Sequence, residues 1–133
     1  MRVLSLIEPW ASLIKEKKKF IETRSWKTNY RGELFIHASL KKITRKEQIS
    51  LTKQYALLDN LDFKYGYIIC KCKLVDCIYM DEMFIEKMKK NPQEYLCGGY
   101  SLGRYAWILE EIEEIDAILA KGMLGIWHYE GKK

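Results

Sequence analysis

The order of strand-like and helix-like segments leaves this chain few folds to adopt. Residues 3–7 alternate as a strand. Pro9 suits the first position of a helix, and Trp10, Leu13 and Ile14 follow at helical spacing. Residues 21–26, 32–39 and 67–75, with an extension towards 79, read as further strands. In residues 32–39, Leu34, Ile36 and Ala38 share one face, and Glu33, Phe35 and His37 share the other. Thr44-Arg45-Lys46-Glu47 forms a capping box, which predicts a helix to about Tyr55. Asp81 predicts a cap for a helix through Met88, ended by Asn91-Pro92. Residues 104–110 read as a strand, and residues 119–129 hold the last one, with Gly122 and Gly125 near its start. About six strands and three helices result, neither grouped nor regularly alternating. That pattern excludes a doubly wound sheet. It predicts a single α+β domain over residues 1–133, a small mixed or antiparallel β-barrel flanked by helices.

The length suffices for one hydrophobic core. No apolar run reaches the roughly 18 residues of a membrane helix, and residues 1–7 enter a strand pattern without the features of a signal peptide. A cytoplasmic location is expected, with no membrane partner. Charge is uneven. Residues 1–53 carry 13 Lys and Arg against 5 Asp and Glu, whereas residues 54–133 carry 10 against 13. A basic first half suits phosphates or another polyanion, and equally suits a merely well-solvated surface.

Cys70-Lys71-Cys72 has a one-residue gap, which is not zinc-ligand spacing. Ile68, Cys70, Cys72 and Leu74 share a strand face, so these thiols read as small core hydrophobes. No metal and no cofactor is expected. His37 and His128 lie in separate strands, and neither a Walker-type phosphate loop nor a nucleophile elbow occurs. Gly98-Gly99 precedes a strand and reads as a turn.

The group Lys19, Glu22 and Arg24 is the strongest candidate site. On a strand, Glu22 and Arg24 point to one face, and Lys19 can join the pair. These three residues describe either an ion pair closing a helix onto the sheet or a site for an anion or a base. Trp10, Trp26 and Tyr30 lie nearby, and Trp26 and Tyr30, beside Lys27 and Arg31, are candidates for exposed stacking. Trp107, on a face with Tyr105 and Leu109, and Trp127, in the closing strand, read as structural.

At this point the chain resembles the ASCH domain family, of the PUA-like superfamily. The resemblance rests on Leu4-Ser5-Leu6-Ile7-Glu8-Pro9-Trp10-Ala11, on Lys17-Lys18-Lys19-Phe20-Ile21-Glu22-Thr23-Arg24, and on Tyr30-Arg31-Gly32-Glu33-Leu34-Phe35-Ile36-His37-Ala38. Tyr105-Ala106-Trp107-Ile108-Leu109-Glu110 and the stretch from Lys121 to Trp127 extend it. It covers nearly the whole chain. It departs from the family pattern at Lys17, where relatives carry glycine, and at Glu8, where many carry glutamine.

The resemblance implies a PUA-like barrel whose cleft, between the first helix and the sheet, is lined by Lys19, Glu22 and Arg24. It implies binding of RNA or a nucleotide-like ligand, near transcription or translation. The full set of expected ligand contacts is Lys19, Glu22, Arg24, Trp26, Tyr30, Arg31, Trp10 and Glu8. The alternative is a hydrolase of a modified nucleoside, or a ribonuclease, using Lys19 and Glu22. Some small bacterial relatives are amidohydrolases of acetylated cytidine that use a Thr where Glu22 stands here. Thr23 is expected on the opposite strand face, which argues against that activity. A third reading is a protein-interaction module using the acidic residues 110–116.

Overall fold

A computed structural model describes residues 1–46 and 61–131. Among them the strands are β1 (Arg2–Leu6), β2 (Ile21–Arg24), β3 (Gly32–Ala38), β4 (Tyr67–Tyr79), β5 (Tyr105–Leu119) and β6 (Ile126–His128). The helices are α1 (Trp10–Lys15), α2 (Glu82–Met88) and α3 (Pro92–Leu96). One sheet contains all six strands in the order β2-β5-β4-β3-β1-β6 and curls into a half-barrel. β1 and β3 are parallel, and the other pairs are antiparallel. The expected α+β fold of about six strands is therefore present. Residues 45–46 are helical, and the rest of the helix expected to Tyr55 falls outside the described residues.

The core lies inside the curl. Leu34, Ile36 and Ala38 of β3 point into it, with Leu4 and Leu6 of β1, Cys70, Cys72 and Leu74 of β4, and Trp107 and Leu109 of β5. Ala11 and Ile14 of α1 cover this cluster. Burial pushes the Cys72 thiol up to about 12 and raises Cys70 as well. Both thiols are therefore protonated packing groups at neutral pH.

Several boundaries differ from the sequence reading, each for a local reason. Pro9 is the N-cap of α1, not its first residue. Asn91-Pro92 does follow the end of α2, but Pro92 also opens α3, where its missing N–H costs nothing. β5 does not stop at Glu110 but runs on to Leu119. Its pairing with β4 shifts register three times, and Glu111 adopts φ 52°. Such irregularities break the two-residue apolar period that marks a strand in sequence. The acidic residues 110–116 are thus ladder residues, with Glu111 3.8 Å from Lys73 and Glu113 3.7 Å from Lys71. The last strand shrinks to Ile126–His128, because residues 120–125 form a loop.

The end of α1 sets the position of the candidate site. Lys18 N–H donates to Leu13 O and Lys17 N–H to Ile14 O, the paired bonds of a Schellman stop. Lys17 occupies the left-handed position with φ 60°. Lysine does there what glycine does at lower cost. The turn delivers Lys19 straight into β2.

Candidate functional site

Among the described residues β2 is an edge strand, paired with β5 through Ile21↔Ile108, Glu22↔Trp107, Thr23↔Ala106 and Arg24↔Tyr105. Beside it opens a cavity of about 470 Å³. Its walls are Ser5 and Leu6 at the end of β1, Ile7 just after it, Trp10 at the start of α1, residues 22–26, residues 96–99 and Arg104.

Lys19 lies at the base of this cavity and is only 1% exposed. Its Nζ donates to Ile21 O at 2.6 Å and to Cys97 O at 2.5 Å. It also lies 3.8 Å from Glu22 Oε1 and 5.6 Å from the centre of the Trp10 ring. Glu22 Oε2 is in turn 3.1 Å from Arg24 Nε, an ion-pair contact without hydrogen-bond alignment. Arg24 Nη2 donates to Ser5 O at 2.9 Å. Lys19, Glu22 and Arg24 therefore form one chain of charges across the cleft, anchored at both ends on backbone carbonyls. Two of the three Lys19 ammonium protons are taken by backbone carbonyls and the side chain is buried, so it offers a ligand chiefly positive field and at most one donor. Arg24 is the more exposed cation of the two.

Distant segments complete the site. Arg104 Nε donates to Gly99 O at 2.9 Å, and its Nη2 to Thr23 O at 3.2 Å. Gly99 N–H donates to Thr23 Oγ1 at 2.9 Å. Gly98 is needed for this close approach. A Cβ on it would lie 2.9 Å from both Thr23 Cγ2 and Tyr100 Cε2. Thr23, expected to face away, thus belongs to the cleft lining, because residues 96–99 close the cavity from its side. Three cations, Lys19, Arg24 and Arg104, and one carboxylate, Glu22, line the cavity.

Beneath the cleft sits Glu94 of α3. Its Oε1 accepts from the Phe20 N–H, and its buried Oε2 has no partner in hydrogen-bond geometry among the described residues. Burial raises the Glu94 carboxyl above its usual range, with the Phe20 hydrogen bond and Lys19 opposing the shift. The buried Tyr100 hydroxyl also has no hydrogen-bond partner among the described residues, and its pKa is raised by burial first, then by Glu94.

Trp26 and Trp10 rim the cavity. Trp26 is 37% exposed and stands edge-on to Trp107, with ring centres 4.7 Å apart and an interplanar angle of 85°. Its position is braced as well by Trp107 Nε1–H, which donates to Trp26 O at 3.4 Å.

The other sequence candidates lie elsewhere. Glu8 is buried under α1, accepting from Ser12 N–H at 2.8 Å and from Ser12 Oγ–H at 2.5 Å. It ties down the first turn of the helix instead of facing a ligand. Tyr30 donates its hydroxyl to Glu33 O and packs against the core cluster. Arg31 donates to Thr28 O and Tyr30 O and lies 3.7 Å from Asp76. Neither Tyr30 nor Arg31 lines the cleft, because the chain turns away between Arg24 and Gly32. Arg104, Glu94 and residues 97–99 were not legible as site residues. They lie some 70 to 85 positions from Lys19 and Arg24, and the β2–β5 ladder together with hydrogen bonds involving Lys19, Phe20 and Thr23 brings them near. The glycine pair was their one sequence signal. Among the described residues no group of three or more His, Cys, Asp or Glu side chains could hold a metal ion, and no helix is long and apolar enough to cross a membrane.

This curled sheet, with a cleft between its edge strand and the first helix, defines a PUA-like α+β domain. The chain belongs to the ASCH domain family, whose sequence profile matches residues 4–121. It is 35% identical over 136 aligned positions to activating signal cointegrator 1 of Homo sapiens, and 30% identical to the Mus musculus protein of that name. The alignments take in 97% of this chain but 22% of each relative, so the chain spans about a fifth of those proteins. A crystal structure of a mutant ZmASCH protein from Zymomonas mobilis shares the fold. Its TM-score is 0.54 at 18% identity, covering 89% of this chain and 74% of that one.

Proposed function

We propose that this domain binds single-stranded RNA, or a nucleotide-like part of it, in the cleft beside β2. The observation that carries the reading is the meeting of Lys19, Arg24 and Arg104 with the rim of Trp10 and Trp26 around one cavity. Arg24 and Arg104 are the phosphate contacts, and Lys19 adds positive potential from below. Trp26, partly exposed and braced perpendicular to Trp107, is the ring on which a base stacks. Glu22 holds Arg24 and can accept from a base amino group.

The test is binding of a fluorescent single-stranded RNA at two salt concentrations. Affinity falls steeply with salt in the wild type and drops in Arg24→Ala and Arg104→Ala. Absence of binding by the folded wild type removes the reading.

One observation favours a hydrolase instead. Thr23 lines the cleft, and its hydroxyl accepts from Gly99, leaving its proton free. Against it, Lys19 has its ammonium bound to two carbonyls and is poorly placed as a base. Release of acetate from acetylated cytidine, lost in Thr23→Val, would establish this second reading.

A further inference from the structure

A second cavity, of about 450 Å³, adjoins the first. Ser5 and Arg24 line both. They form the saddle between the two cavities, joined to each other by the bond from Arg24 Nη2 to Ser5 O. The far side of the second cavity is the loop between β5 and β6, with Lys121, Met123 and Leu124, and its near side is Leu40 after β3.

This loop is built onto the saddle. His37 Nε2 lies 2.7 Å from Ala120 O, which can only accept, so the neutral ring carries its proton there. His37 Nδ1 then accepts from the Ser5 hydroxyl at 3.0 Å, and Ser5 Oγ accepts from Trp127 Nε1–H at 3.0 Å. Gly122 lies directly on this network. A Cβ there would come within 2.9 Å of Ser5 Oγ and His37 Cε1. The floor of the second cavity is thus fixed by bonds from β1, β3 and β6.

The lip is different in kind. Leu40 is 70% exposed, Met123 61% and Leu124 98%. Three large apolar side chains facing solvent around one hollow mark a surface that something apolar covers. An unrelated apolar solute would have no use for the arginine at the junction. A nucleic acid strand has use for both, since each nucleotide offers a planar apolar face and joins the next through an anion.

We infer that the two cavities are consecutive nucleotide subsites, with the linking phosphate at Arg24 and the neighbouring base on Leu40, Met123 and Leu124. Resting on the RNA reading above, the inference names the smallest ligand that fills the site as a dinucleotide. Lys121 then lies beside the outgoing backbone.

The test compares uridine 3′,5′-bisphosphate (pUp) with the dinucleotide pUpU by calorimetry. Each has two phosphates, but only pUpU has a second nucleoside. The wild type binds pUpU about tenfold or more tightly than pUp. The gain persists as salt is raised, because no added charge produces it. In Leu40→Ser/Met123→Ser the gain disappears while pUp affinity holds, and the exposed positions leave the melting temperature unchanged. Equal affinity for pUp and pUpU in the wild type overturns the inference and leaves the first subsite standing. A gain that survives in the double variant overturns it too. Failure of both ligands to bind overturns the RNA reading itself.

Discussion

The ammonium of Lys19 donates to the carbonyl of Cys97, 78 residues further along the chain. This bond locks the turn before β2 to the end of α3 and closes the floor of the cleft. Lys19 is therefore a structural residue of the site before it is anything else. Removing it leaves the buried carbonyls of Ile21 and Cys97 without their donor, while Glu22 keeps its contact with Arg24. Lys19→Ala should lose about 1–3 kcal/mol of stability for each buried carbonyl left unpaired, read as a fall in the urea midpoint at constant slope. A variant as stable as the wild type would show that the ammonium does not hold the cleft together.

Glu94 makes the same region sensitive to pH. Burial raises its pKa above the usual 4.5, so the folded state holds its proton more tightly than the unfolded chain. Its contribution to stability is complete below the unfolded value and is lost as pH rises through the folded one. Glu94→Gln removes the titration. Thermal melts from about pH 4 to about pH 8 should show the wild type gaining most over the variant at the acid end, with that gap shrinking as pH rises. A gap that widens with pH contradicts the assignment.

Lys17 holds a left-handed backbone, with φ 60°, that glycine adopts more cheaply. Lys17→Gly should stabilise the protein by about 1 kcal/mol, measured by chemical denaturation. Lys17→Ala, which keeps a Cβ, should not. The comparison separates backbone strain from loss of a lysine charge.

Trp26 is partly exposed at the rim of the cleft and stands perpendicular to Trp107. Trp26→Ala should weaken RNA binding by about 1–3 kcal/mol, with Trp26→Phe losing less. Stability should change little in the phenylalanine variant, since the ring contact with Trp107 remains possible. Equal RNA affinity in all three proteins would exclude Trp26 as a stacking platform.

The residues of the cleft divide according to how far apart they lie in the chain. Lys19, Glu22 and Arg24 were legible because local rules suffice. A helix stop followed by a strand puts all three at one edge within six residues, and the alternation of the strand directs Glu22 and Arg24 together. Glu8, Tyr30 and Arg31 flank the trio in sequence, yet their side chains bind local backbone or the ends of their own elements. Proximity along the chain gave no information about that choice, which depends on where the backbone turns. Thr23 failed for a related reason. The rule of alternating faces holds within a strand, but residues 96–99 close the cavity around its edge.

By itself, then, the sequence determined the strands with a clean two-residue period, the α+β class and the charged trio of β2. Periodicity and spacing are local properties, and they survive without a partner. Tertiary structure alone decided that β5 continues through an acidic stretch, since bulges erase the period that would have revealed it. It alone brought Arg104, Glu94 and Cys97 to Lys19 and Arg24, and it alone joined two cavities at Arg24. Those relationships depend on pairings between segments far apart in the chain, and a pairing energy belongs to neither segment until both are in place.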